Sequence, residues 1–166
     1  MTLVTTGSQT VGPFFHIGLK WLFHDDMSKP AGGSAVTTDS TAERVAVRGR
    51  VIDGDGNGVP DAMVEIWQPD TGGFARLPTD ADGVFAFTAA KAGHLNVTIF
   101  MRGLLRHLQT RMYFQDEAVN ADDPILRLVE RSRRETLIAR RTSGSPHELE
   151  WNIVLQGQDE TVFFEW

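Results

Sequence analysis

There is no cysteine in the 166 residues. That absence excludes disulfide staples, thiolate zinc sites, iron–sulfur clusters and a cysteine nucleophile, and it suits a reducing compartment such as the cytoplasm. No stretch approaches the ~18 consecutive apolar residues of a membrane span. The opening residues, Met1-Thr2-Leu3-Val4-Thr5-Thr6-Gly7, lack the basic-then-apolar order of a secretion signal, so neither membrane association nor export is expected. Positive charge is also short: 16 Lys+Arg against 22 Asp+Glu leave −6, a poor match to nucleic acid. Gly-x-Ser-x-Gly, Gly-Lys-Ser/Thr and Gly-x-Gly-x-x-Gly are all missing, which removes the serine-elbow, phosphate-loop and dinucleotide readings.

What remains has an ordinary globular composition, 41% apolar and 23% charged, and a length that suits one domain. Residues 1–27 read as an arm, broken where Gly12-Pro13 precedes Phe14-Phe15; residues 28–44 are small and polar and read as a linker loop; residues 45–166 read as the folded domain. From Val45 the apolar residues recur with period two, and 45–52 and 62–67, on either side of a Gly-rich turn, read as the two strands of a hairpin. Further strands are predicted over 84–88, 94–100, 109–114, 148–155 and 160–164, with short helices over 124–129 and 135–140. Seven or so short strands separated by turn signals predict a mostly-β, two-sheet sandwich with one or two short helices. Charge is uneven: residues 102–141 hold nine arginines, no lysine and six acids. Such a flank is either a solvated or docking face or a place to capture a small anion.

Asp53-Gly54-Asp55-Gly56-Asn57-Gly58 matches the first half of a calcium-binding loop, yet Val64 stands where its twelfth-position Glu belongs. A tight turn is the better reading. The five histidines, His16, His24, His94, His107 and His147, form no His-x-His or His-x-x-x-His pair. The nearest is His94-Leu95-Asn96: on a strand, 94 and 96 share a face, so this is a two-imidazole metal pattern with its second ligand replaced by an amide. A lone, hydrogen-bonded histidine is the competing reading. Asp25-Asp26 and Asp122-Asp123 lie in polar loops and read as solvated pairs or helix N-caps.

Several blocks taken together carry more. They are Ser8-Gln9-Thr10-Val11-Gly12-Pro13-Phe14-Phe15-His16, Val64-Glu65-Ile66-Trp67-Gln68, His94 through Gly103, Thr110-Arg111-Met112-Tyr113-Phe114, Glu135 through Arg141, and Glu160-Thr161-Val162-Phe163-Phe164. In this order they resemble the intradiol ring-cleaving dioxygenases. The resemblance implies that family's β-sandwich, with an N-terminal arm that contacts a partner subunit. It also implies a ferric ion held by two tyrosinates and a His-x-His pair, which this chain cannot supply: Tyr113 is its only tyrosine, and Asn96 replaces the second histidine. The pattern therefore resembles the family's non-metal chain, which binds no cofactor itself and pairs with an iron(III)-bearing partner chain in a hetero-oligomer. There it completes the pocket for a small aromatic acid whose ring O2 opens. No catalytic or metal-binding residue is expected in this chain; the substrate-binding residues implied in trans are Thr10, Gly12, Pro13, Phe14 and Arg102. A benzoate-type substrate calls for a rigid wall, an aromatic neighbour and a guanidinium, which these residues supply. For Arg102 the competing reading is an interface salt bridge. Phe14 stands where the family carries Tyr and so lacks a hydroxyl, and the connections around 74–79 and 91–94 are shorter than is typical. Residues from Gly49 to Trp67 and from Thr79 to Phe85 also resemble transthyretin-like and carboxypeptidase regulatory-like sandwiches, a non-catalytic binding module. A stand-alone dioxygenase with another metal set is the third reading, opposed by the tyrosine count.

Overall fold

The computed structural model describes residues 18–19, 22–27 and 42–165. Nine strands make up its framework: β1 (Arg44–Ile52), β2 (Met63–Gln68), β3 (Gly73–Pro78), β4 (Val84–Ala90), β5 (His94–Phe100), β6 (Leu108–Phe114), β7 (Ile138–Arg141), β8 (Glu148–Glu150) and β9 (Ile153–Val154). One short α-helix, α1 (Pro124–Leu128), lies between 3₁₀ turns at Ala118–Ala121 and Arg131–Leu137. Helix α1 starts where Asp123 accepts the Leu126 amide at 2.7 Å and Pro124 supplies the first-turn φ, so this member of the acidic pair is an N-cap.

The strands run β3-β2-β5-β6-β7-β8-β1-β4, with β9 continuing alongside β1. β7 pairs parallel with β6 and antiparallel with β8, so it joins a β3-β2-β5-β6 half to a β8-β1-β4 half. The period-two pattern explains how the halves meet. Val45, Val47 and Val51 of β1, Phe85 and Phe87 of β4, Val64 and Ile66 of β2, and Leu95, Val97 and Ile99 of β5 all enter one core cluster. Their alternate neighbours face outward. The result is a mostly-β, two-layered fold. Gly49 permits a close approach of backbones in it, because a Cβ there would fall on the Trp151 carbonyl oxygen. A smaller cluster of Tyr113, Leu126, Val129 and Leu137 sits under α1.

The predicted hairpin of 45–52 with 62–67 is not formed. After β1 the Asp53 carboxylate accepts the amides of Asp55 (3.0 Å) and Asn57 (2.8 Å), which makes the tight turn expected there. Only a single bridge, Ile52 with Gly58, follows before the chain crosses to the other layer. β1 pairs with β4 and β8 instead, and β2 with β3 and β5. β3 is a strand the sequence pattern did not reveal, since its Gly73 and Pro78 ends read as loop. The helix predicted over 135–140 is a 3₁₀ turn ending at Leu137, followed by β7. The strand predicted over 148–155 breaks in two, because the Asn152 side chain accepts the Arg50 amide at 2.9 Å in place of a ladder carbonyl. Residues 160–164 form no strand: Thr161 donates to Val154 at 2.9 Å and Phe164 to Gln109 at 2.8 Å, so the segment touches both halves and ladders with neither. Most of the predicted arm and linker lies outside the described residues. Of the arm, His24 bridges to Arg76, Asp26 to Thr88, and Met27 is buried in the main core.

Candidate functional site

Two places on the β3-β2-β5-β6 half bear on function, and both follow from the register of β5. Leu95, Val97 and Ile99 face the core, which leaves His94, Asn96, Thr98 and Phe100 on the outer face. Across the ladders His94 stands opposite Tyr113, and Asn96 is flanked by Trp67 on β2 and Arg111 on β6. Trp67 keeps 45% of its surface exposed, an open aromatic beside the sheet's polar row.

At the His94 end the polar groups converge on Asp123. Tyr113 donates its hydroxyl to Asp123 Oδ1 at 3.0 Å, Arg111 Nη1 lies 3.5 Å from Oδ2, and His94 Nδ1 lies 3.9 Å from the same oxygen. The groove here holds about 260 Å³ and is lined by Asp70, Gly93, His94, Tyr113, Asn120 and Asp123 among others. Burial pushes the Tyr113 phenol up to about 12, so at neutral pH it is a hydrogen-bond donor and not a phenolate. Burial, with Arg111 nearby, lowers the His94 imidazole below its ordinary range, against the pull of Asp123 and Asp70. Burial raises the Asp123 carboxyl, but the Leu126 amide, the Tyr113 hydroxyl, Arg111 and His94 together bring it below its ordinary value.

A ferric ion needs hard anionic oxygens and neutral imidazoles. This cluster presents a phenol committed to a carboxylate, one histidine, an amide at Asn96 and a guanidinium beside them, so it does not fit that ion. Among the described residues no three His, Asp or Glu side chains converge as a metal site. His94 is the half-buried lone histidine of the competing reading, and its Nε2 has no hydrogen-bond partner among the described residues.

The second place is the open end of β5. Arg102 lies two residues past Phe100, the last of the strand, and Gly103, at φ 90°, turns the backbone away. The Arg102 side chain is 61% exposed, and its Nε lies 2.8 Å from Asp61 Oδ2 in an ion pair. The ion pair is therefore within this chain. Sequence reasoning missed Asp61, because the assumed β1–β2 hairpin left residue 61 in its turn with no strand partner. Thr10, Gly12, Pro13 and Phe14 lie outside the described residues. Some of the other arginines of the basic flank brace backbone: Arg133 reaches the Glu160 carbonyl (2.7 Å) and Arg134 those of Val129 (2.9 Å) and Arg127 (3.0 Å). Arg127 pairs with Asp122 at 2.6 Å and Arg140 with Glu135. Among the described residues no helix is long and apolar enough to cross a membrane.

Comparison with known proteins agrees with this geometry. The family model of the carboxypeptidase regulatory-like domain matches residues 46–122, which include the 49–67 and 79–85 segments that carried that partial resemblance. The solved dioxygenase domain of a dioxygenase–carbohydrate-binding fusion from Streptomyces sp. SirexAA-E shares the fold at a TM-score of 0.59 and 19% identity, covering 84% of this chain and 89% of that one. The 3-chlorocatechol 1,2-dioxygenase of Rhodococcus opacus 1CP does so at 0.59 and 16%, covering 78% and 63%. In sequence, the chain is 40% identical to the protocatechuate 3,4-dioxygenase alpha chain of Burkholderia cepacia, over 99% of this chain and 98% of that one, and 35% identical to the Pseudomonas putida alpha chain over 98% and 97%. The first of these alignments runs to 194 positions against 166 residues here, so the relative carries internal residues that this chain lacks. The Burkholderia cepacia beta chain matches at 28%, over 93% of this chain and 77% of that one. Full-length identity of this order establishes the kinship: the chain belongs to the family of the protocatechuate 3,4-dioxygenase alpha chains, within the intradiol dioxygenases.

Proposed function

We propose that the chain is the iron-free alpha subunit of a cytoplasmic protocatechuate 3,4-dioxygenase. It docks on a beta subunit that holds the ferric ion and completes that subunit's pocket for protocatechuate, which is opened between its hydroxylated carbons to 3-carboxy-cis,cis-muconate. The observation that carries this reading is full-length similarity to alpha chains, combined with a His94-x-Asn96 strand whose surroundings do not suit ferric iron. In this reading the metal chemistry belongs to the partner, and the residues of this chain bind and orient. Thr10, Gly12, Pro13 and Phe14 form the wall against the ring, on an arm of residues 1–27 joined by a linker of 28–44 to the folded domain. Arg102 meets the substrate carboxylate. Its exposure and its position at the open end of β5 support that role, for the guanidinium stands clear of the core.

The test is steady-state kinetics on the complex co-purified with a beta chain. A charge-assisted fork to a carboxylate contributes ~1.5–3 kcal/mol, so Arg102→Ala should weaken use of protocatechuate by roughly tenfold to a hundredfold. Catechol, which has no carboxylate, should be nearly unaffected at unchanged subunit stoichiometry. Equal loss for both substrates would mean that Arg102 serves assembly instead. The match over residues 46–122 favours a second reading, a binding module without catalysis. A chain that neither co-purifies with a beta chain nor alters its kinetics would favour that one.

A further inference from the structure

The pairing of Arg102 with Asp61 is dictated by the sheet. β2 and β5 run antiparallel with Met63 opposite Phe100. Extending that ladder two residues past its end sets residue 61 opposite residue 102 on the same outer face. The two members then differ sharply. Asp61 is buried at 8% exposure, whereas Arg102 projects into solvent at 61%.

Asp61 is also held from behind. The neighbouring Ala62 is fully buried, donates its amide to Thr79 Oγ at 3.0 Å and accepts the Thr79 amide at 3.0 Å. The Thr79 hydroxyl donates in turn to the Val59 carbonyl at 2.7 Å. The carboxylate therefore sits on a backbone fixed from β3, not on a free loop. Its Oδ2 stands 2.8 Å from Arg102 Nε, and Oδ1, although buried, has no hydrogen-bond partner among the described residues.

We propose that Asp61 is the positioning residue for Arg102: by holding Nε, it leaves the Nη1–Nη2 edge of the guanidinium facing out of this chain towards the carboxylate of an aromatic acid in the partner's pocket. This rests on the reading of Arg102 as the anion anchor. A guanidinium is planar with five donors on separate edges, so one carboxylate can occupy Nε while a second uses the terminal fork. An exposed arginine otherwise samples many rotamers, and that freedom must be given up when the anion binds. Asp61 fixes the side chain beforehand. Repulsion between the two carboxylates works against this, but they lie on opposite sides of the cation, near solvent that screens them.

The experiment compares wild type, Asp61→Ala, Asp61→Asn, Arg102→Ala and the double Ala variant in the co-purified complex, with protocatechuate and catechol as substrates. Asp61→Ala should raise KM for protocatechuate by about three- to tenfold, the scale expected for one immobilised side chain, with kcat little changed and catechol unaffected. Asp61→Asn, whose amide oxygen can take the same place beside Nε, should recover most of that loss. In the Arg102→Ala background, Asp61→Ala should add nothing. An equal loss for both substrates would make Asp61 merely structural, and a lowered KM would make it a competitor for the cation; either overturns the proposal. Arg102→Ala that discriminates between substrates while Asp61→Ala is silent overturns the positioning role alone. Arg102→Ala that fails to discriminate removes the anchor reading and this inference with it.

Discussion

Replacing Gln68 with methionine tests whether a buried amide holds the His94 end of the sheet in place. Gln68 is fully buried at the end of β2, where its Nε2 donates to the carbonyls of Ala90 (2.9 Å) and Ala92 (2.8 Å). Its Oε1 accepts the Thr71 hydroxyl at 3.0 Å. One side chain thus ties β2 to the turn that leads from β4 into His94. Methionine keeps the length and removes all three bonds. Each orphaned buried group costs ~1–3 kcal/mol. Ala90 and Ala92 are only partly buried, so their carbonyls can turn to water, and the Ala90 carbonyl keeps the Ala92 amide at 3.1 Å; Thr71 still accepts the Gly73 amide at 3.2 Å. With the low end taken for all three groups, the sum is about 3 kcal/mol, partly offset by about 1 kcal/mol from the more apolar side chain. At ~2–4 °C per kcal/mol for a chain of this size, the midpoint should fall by about 4–8 °C. Urea and thermal unfolding of the chain, free and in its complex, would measure it. A Gln68→Met variant within ~1 kcal/mol of the parent would refute the reasoning, since it would mean that water or a shifted turn satisfies both carbonyls.

Three further outcomes are expected. Asn96→His should not confer ferric binding, because Tyr113 remains a phenol donating to Asp123; a visible phenolate-to-iron band with stoichiometric iron would contradict this. His94 is held below its ordinary value of 6.5 by burial and Arg111, so the unfolded chain takes up the proton first. Its contribution to stability is complete above pH ~6.5 and is lost as pH falls through that value. Denaturant midpoints between pH 7.5 and 5 should therefore decline, and His94→Gln should flatten the decline; an unchanged slope would assign it to another group. Asp123, held below its ordinary 3.8 mainly by the Leu126 amide, the Tyr113 hydroxyl and Arg111, adds stability that disappears only at lower pH, so His94→Gln should leave most of the acid limb of the curve in place.

The sequence by itself determined the class of fold and the kinship. Alternation at Val45-Val47, Phe85-Phe87 and Leu95-Val97-Ile99 states which side of each strand is buried, because a strand's period is two whatever it pairs with. The blocks around Gly12-Pro13, Trp67-Gln68 and His94-x-Asn96 carried the family resemblance, and Asn96 with the single Tyr113 already argued against iron. Tertiary structure decided the pairings. Period two does not name a partner, so Arg44–Ile52 and Met63–Gln68 looked like a hairpin when they belong to different halves. That choice hid Asp61, whose place beside Arg102 exists only once Met63 is set opposite Phe100. Asp123 was legible as a helix cap, since capping is local. Its second role, collecting Tyr113, Arg111 and His94, depends on packing α1 against β5 and β6, and a sequence pattern cannot express a contact between elements that its own spacing does not fix.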